Sequence, residues 1–252
     1  MKKLFTLLFS FFTLTVVFSQ KETNNTCGTC DVKPGDIEKF REALEESKVH
    51  FYTDEGTTKL DLKKAHEECN LDYFAICNNK LVLTSTGQKK DRTEIRQKRE
   101  LSLNDFSEMY YEASIFNTPK SNHKKGVTIA QIHNSADGVK RPLLRVEIAG
   151  GKEIRSVLTN TYIKGEGKVK NDLLVPFKDG DEIQCTVTIR RGGNKVSVYV
   201  FNKTMEKGKR ISYEVSDLWL EKDGEFYFKA GAYTQVSGPK TLVMYDQFEY
   251  RY

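Results

Sequence analysis

The sequence predicts an all-β fold, a sandwich or barrel with the β-jelly roll as its favoured form, preceded by a short helical segment. Three observations carry that expectation. After about residue 70, ten segments alternate apolar and polar residues or are rich in β-branched and aromatic ones. Turn signals separate several of them: Asn117-Thr118-Pro119, Asp137-Gly138, Gly150-Gly151, Asp179-Gly180, Arg191-Gly192-Gly193-Asn194 and Asp223-Gly224. Helical periodicity is confined to the stretch before residue 70. Many strands with few helices fit two packed sheets or a closed one, and among these the jelly roll suits a long cleft.

The elements follow in order. Lys2 and Lys3 precede an apolar run over 4–18, and Val17 and Ser19 are small enough for a signal-peptidase site. Residues 1–19 are therefore expected to be a signal peptide, since about 15 apolar residues fall short of the ~20 of a spanning helix. Residues 20–34 are polar and read as a tail or linker, and 35–252 as one domain. Ile37, Phe40 and Leu44 recur at helical spacing, with Asp36 as N-cap and Pro34 before it, which predicts three helical turns. A second short helix is expected near 60–68. Strands are expected over 80–85, 91–99, 108–116, 127–133, 143–149, 153–160, 183–190, 195–201, 225–235 and 241–250. Trp219 reads as a core residue.

The chain has 252 residues and a formal charge of +5, of which Lys2 and Lys3 account for two, leaving +3 after cleavage. So small a bias excludes a nucleic-acid argument and is compatible with an acidic polymer. Of the five cysteines, Cys69 and Cys77 could staple a loop, Cys27 and Cys30 could close a local disulfide in the tail, and Cys185 alternates with Ile183 and Val187 as a core thiol. An exported protein, secreted or periplasmic and monomeric, is expected, with no membrane anchor once the leader is cut.

Three strings carry chemistry. In Arg92-Thr93-Glu94-Ile95-Arg96, period two puts Arg92, Glu94 and Arg96 on one face, where two guanidiniums can flank one carboxylate and offer forks to another. In Gln131-Ile132-His133, an amide donor and an imidazole share a face. In 225–235, Phe226, Phe228, Ala230 and Ala232 form a core face, and Tyr227, Lys229, Gly231, Tyr233 and Gln235 the opposite one. Gly231 leaves room there for a ligand or a neighbouring backbone. Each string alone also reads as a solvated polar strand face. Together they suit gripping a carboxylated sugar and moving a proton.

Arg-Thr-Glu-Ile-Arg, Gln-Ile-His and Tyr-Phe-Lys-Ala-Gly-x-Tyr-x-Gln resemble, in order, the three signature blocks of the polysaccharide lyase family 7 alginate lyases, over roughly residues 80–252. The resemblance implies a β-jelly roll of two curved antiparallel sheets whose concave face is the substrate groove. It implies β-elimination on a 1,4-linked uronate of alginate, without cofactor or metal. Arg92 and Gln131 would neutralise the carboxylate, Tyr233 would protonate the leaving oxygen and could also act as base, and His133 would be base for the opposite stereochemistry or support the carboxylate. Glu94, Arg96, Lys229 and Gln235 would be supporting or subsite residues, with Arg145 a further subsite residue. Ile132 between Gln and His leans the expectation toward guluronate-containing stretches. The family's usual Trp-Lys-Leu-x-Leu-Pro-like opening strand is absent; 36–79 reads instead as helical and cysteine-containing.

Three other readings compete. A hydrolase would need paired carboxylates on one strand face, and Glu221-Lys222-Asp223-Gly224-Glu225 has such spacing only across a turn. A non-catalytic module gripping an acidic polysaccharide would not need His133 and Tyr233. A lyase on another polyuronate, such as glucuronan, would share the whole architecture.

Overall fold

A computed structural model describes residues 29–53, 58–121, 125–190, 194–222 and 225–252, without the side chains of 53 and 58–62. The expected leader and most of the polar tail, with Cys27, lie outside these residues. All ten expected strands form: β4 (Lys80–Thr84), β5 (Arg92–Gln97), β6 (Ser107–Phe116), β7 (Gly126–Asn134), β8 (Leu144–Ala149), β9 (Glu153–Thr159), β11 (Glu182–Arg190), β12 (Lys195–Asn202), β14 (Phe226–Thr234) and β15 (Leu242–Arg251). Five more join them: β1 (Ser47–Thr53), β2 (Thr58–Leu62), β3 (Phe74–Cys77), β10 (Val169–Pro176) and β13 (Lys207–Glu214).

The strands make two antiparallel sheets, ordered β10-β9-β8-β7-β14-β5-β1-β2 and β13-β12-β11-β6-β15-β4-β3, in a β-jelly roll. Alternation explains the layering. Met109, Tyr111, Ala113 and Ile115 of β6 and Val127, Ile129, Ala130 and Ile132 of β7 point into one shared apolar core. The Tyr111 hydroxyl crosses that core to donate to the Ile129 carbonyl at 3.2 Å, so the phenol is buried without losing its hydrogen bond. Trp219, on the short helix α2 (Asp217–Leu220), is fully buried and its indole N–H donates to the Thr159 carbonyl at 2.8 Å.

The N-terminal third departs from expectation. The first helix, α1 (Glu38–Glu45), spans eight residues rather than three full turns and is capped by Ile37. Asp36 instead closes a 3-10 turn, its carboxylate accepting the Lys33 backbone N–H at 2.8 Å. The helix expected near 60–68 does not form. Residues 58–62 are a strand in register with β1, Leu60 opposite Phe51 and Leu62 opposite Val49. Hairpin pairing with the preceding strand overrides the helix propensity of the following Lys-Lys-Ala run. The 36–79 stretch is thus a helix followed by three strands, two of which widen the first sheet beside β5.

Cysteine pairing differs too. Cys30 is bonded to Cys69, closing 39 residues of separation, and Cys77 is disulfide-bonded as well. Neither a Cys69–Cys77 nor a Cys27–Cys30 bridge exists, because Cys30 and Cys69 satisfy one another. Cys185 is free and buried, and burial pushes its thiol up to about 12.

Candidate active site

The three strings are neighbouring strands. β14 lies between β7 and β5 near the middle of the first sheet, so their polar rows become one floor. Register sets the neighbours: Tyr233 is opposite Arg92, Gly231 opposite Glu94, Lys229 opposite both Arg96 and Gln131, and Tyr227 opposite His133. The polar residues at the centre of the floor are hardly exposed: Glu94 is 1%, Gln131 3% and Lys229 5% exposed.

Gly231 makes the register possible. Its φ is +153°, and a Cβ there would lie 2.1 Å from the Thr93 carbonyl oxygen and 2.7 Å from the Glu94 Cα. A neighbouring backbone therefore fills the room that the glycine provides. With no side chain directly opposite on β14, Glu94 meets its diagonal neighbour there: the Lys229 ammonium lies 3.3 Å from Oε2. Arg92 Nη1 is 3.7 Å from the same oxygen, and the Gln131 amide donates to Oε1. Burial pushes the Glu94 carboxyl up, but the charges of Lys229 and Arg92 and the two hydrogen bonds outweigh it and hold the group below its usual range. Burial lowers the Lys229 ammonium, with Glu94 opposing.

The expected pair of guanidiniums around Glu94 is therefore corrected to one guanidinium and one ammonium. Arg96 turns away. Its guanidinium lies 3.8 Å from the Tyr227 ring centroid and 3.4 Å from Glu100, on the far side of Lys229. Burial raises the Tyr227 phenol despite Arg96.

Arg92, Gln131, His133, Arg145 and Tyr233 line one cavity of about 300 Å³ with Lys125, Lys140, Arg141, Pro142, Thr159 and Lys164. Among the described residues its wall holds six cations and no carboxylate. The buried Nε atoms of Arg92 and Arg145 have no hydrogen-bond partner. Unmet guanidinium donors beside a row of cations suit an anionic ligand with several charges.

His133 stacks on Tyr227, with ring centroids 5.6 Å apart, and its Nδ1 is 3.0 Å from the Asn134 carbonyl oxygen. Burial drives its pKa down to about 4; Asn134 opposes, and the charges of Lys229 and Arg92 add to the drop. The imidazole is consequently neutral near pH 7. Behind the cavity, Arg145 Nη1 donates to Gln235 Oε1 at 3.0 Å and lies 3.6 Å from Glu147. Gln235 reaches Thr128 and Glu147, so it braces Arg145.

Thus five of the nine sequence-derived residues face the cavity, Glu94 and Lys229 lie beneath it, Gln235 braces Arg145, and Arg96 stands apart. Sequence reasoning missed Lys125, Lys140, Arg141 and Lys164, whose loops have no period to read. Arg141 donates to the Ile163 and Glu166 carbonyls at 3.1 and 2.8 Å, pinning the loop that carries Lys164. Lys48, His50 and Tyr52 of β1 were also missed, although they alternate with the core residues Val49 and Phe51. That alternation was the available signal.

A family model described as alginate lyase matches residues 44–251. Among solved structures the chain is similar to alginate lyase AlyC3, at TM-score 0.71 and 20% identity over 87% of this chain and 94% of that one. It is similar to alginate lyase A1-II', a member of polysaccharide lyase family 7, at TM-score 0.65 and 17% identity over 87% and 98%. Alginate lyase PA1167 from Pseudomonas aeruginosa gives 0.62 and 14% over 83% and 99%. A search of curated proteins returns no match.

Proposed function

The chain belongs to the alginate lyase family, and from that premise we propose that it depolymerises alginate by β-elimination at 1,4-linked uronates. One observation carries the reading: Arg92, Gln131, His133 and Tyr233 converge on a single cation-lined cavity. Arg92 and Gln131 take the carboxylate of the sugar to be cleaved. Fixed donors there stabilise the charge that moves onto the carboxylate as the C5 proton leaves. A base breaks the C5–H bond, its electron pair forms the C4–C5 double bond, the C4–O4 bond breaks, and O4 receives a proton.

Tyr233 protonates O4. His133 is the base when the C5 proton lies on the face opposite the leaving oxygen, and Tyr233 serves both roles when they share a face. A neutral imidazole is what a base requires, and the pKa near 4 supports this. Nδ1 meets both the carbonyl oxygen and the backbone N–H of Asn134, each at 3.0 Å; the base role uses the tautomer whose Nδ1 hydrogen goes to the carbonyl, which leaves the lone pair on Nε2. Glu94 and Lys229 fix Gln131 and Arg92 from beneath. Arg145, braced by Gln235, takes the carboxylate of a neighbouring unit, and Arg96 with Tyr227 forms the opposite side of the groove.

The substrate preference leans to guluronate-containing stretches on the strength of Ile132 in the Gln-Ile-His block. Ile132 is fully buried on the core side, so any influence passes through the strand. One solved relative holds dimannuronate and another a GGG product, which keeps both uronates in view. Residues 1–19 are proposed as a leader for export, placing the protein outside the cytoplasm as a monomer. The reading is tested by incubating purified protein with poly-guluronate, poly-mannuronate and glucuronan and following ultraviolet absorbance of the unsaturated product. The expected result is signal on the alginate polymers, greatest on poly-guluronate. Signal on glucuronan alone would move the substrate, and none on any polymer would remove the lyase reading.

A further inference from the structure

Arg92 occupies a place that its own string does not explain. Across three adjacent strands, Tyr52, Arg92 and Tyr233 form one rung: Tyr52 of β1 is the register partner of Arg92 on one side and Tyr233 of β14 on the other. The guanidinium carbon lies 4.6 Å from the Tyr52 ring centroid and 3.8 Å from that of Tyr233. Its nearest carboxylate contact, to Glu94, is a long 3.7 Å, and its buried Nε has no hydrogen-bond partner. The side chain is therefore aimed chiefly by two aromatic faces, with most of its donors left for something else.

We propose that Tyr52 is a positioning residue for the elimination: its ring holds the Arg92 guanidinium between two phenols, with its donors turned to the sugar carboxylate. This rests on Arg92 being the group that takes that carboxylate. The physical case is a division of tasks. A tight Arg–carboxylate fork would fix Arg92 but consume the donors that the substrate needs. Ring faces attract the cation without occupying any N–H. Stacking on Tyr52 also leaves the Tyr233 hydroxyl uncommitted to Arg92, since the contact is with the face of its ring. Tyr52 lies on a strand outside the three strings, and its neighbour in the same row, His50, is opposite Glu94. The β1 strand thus supports the site from the side remote from Arg145.

Because the misplaced group would be the one that meets developing charge, the loss belongs in kcat more than in KM. Tyr52→Leu keeps the bulk and removes the quadrupole, and Tyr52→Phe restores the ring without the hydroxyl. On whichever alginate polymer the wild type cleaves, Tyr52→Leu should lower kcat about tenfold, equivalent to about 1.4 kcal/mol, with KM changed less than about twofold. Tyr52→Phe should recover most of that loss. Thermal melts of all three proteins establish that the variants are folded; a Leu variant melting well below the wild type is replaced by Tyr52→Met, with the same expectation. Wild-type kcat in a folded Leu or Met variant, or a loss confined to KM, overturns the proposal while leaving the elimination reading intact. A Phe variant as weak as Leu assigns the effect to the hydroxyl and also overturns it. A wild type inactive on every alginate polymer removes the parent reading and this one together.

Discussion

His133 shows how burial sets chemistry at the scale of one residue. Its folded pKa near 4 lies below the ordinary 6.5, so between those values the unfolded chain binds a proton that the folded chain does not. The sign follows: the group's contribution to stability is fully present above about pH 6.5 and is lost as pH falls through about 4. Melting temperatures from pH 7 to 4 should drop more steeply in the wild type than in His133→Gln; parallel slopes would refute the assignment. The acid limb of kcat/KM should likewise bend near 4 instead of near 6.5. Tyr233→Phe keeps the stack on Arg92 and removes only the proton, so kcat should fall at least about a hundredfold, measured as the rate of unsaturated-product formation, with KM nearly unchanged. Full activity in that variant would dismiss Tyr233 as the acid. Arg92, Gln131, His133 and Tyr233 were legible in the sequence because each alternates with core residues. Arg96 was misplaced beside Glu94 because alternation fixes only a face: Arg96 leans to Tyr227 and Glu100, and Lys229, the cross-strand neighbour beside Gly231, meets Glu94 instead.

At the scale of elements, the strands that were legible are those with one apolar row and a clear turn at each end. The missed ones have physical reasons. β13 carries mostly exposed polar residues and is an edge strand whose lysines discourage further pairing, while β10 breaks the alternation, with Leu174 and Val175 buried side by side at a register shift. β1 begins two residues after α1, where helical spacing still dominates the pattern. β2 is specified by its partner more than by itself. The β5–β14 junction yields a prediction of its own. Gly231→Ala must move the Thr93 carbonyl or the Glu94 backbone, so it should cost about 3 kcal/mol, read by denaturant unfolding, and lower kcat by separating Arg92 from Tyr233. An Ala variant with unchanged stability would show that the two backbones are not in forced contact.

For the whole molecule, the charge that matters is local. A net +5 is modest, yet six cations gather on one cavity wall, so attraction for a polyanion should be strong at low salt and screened at high salt. Raising ionic strength from about 0.05 to 0.5 M shrinks the Debye length severalfold, and KM should rise several-fold with kcat much less affected. A salt-independent KM would detach the cavity from substrate binding. The Cys30–Cys69 bridge joins the N-terminal segment to the loop before β3, away from the cavity. Replacing both cysteines by serine should cost roughly 2–4 kcal/mol through the unfolded state, seen in thermal melts, while kcat at 25 °C stays near the wild-type value. Chelator should leave activity unchanged if elimination proceeds through side chains alone.

Product mass distinguishes elimination from hydrolysis of the glycosidic bond. Alginate oligomers of defined length should yield, from each cleavage, one saturated fragment and one fragment lighter by a single water. Fragments that are all saturated, their masses summing to the oligomer plus water, would mean hydrolysis and would contradict the roles of Arg92 and Gln131 on the carboxylate and of His133 and Tyr233 on the proton.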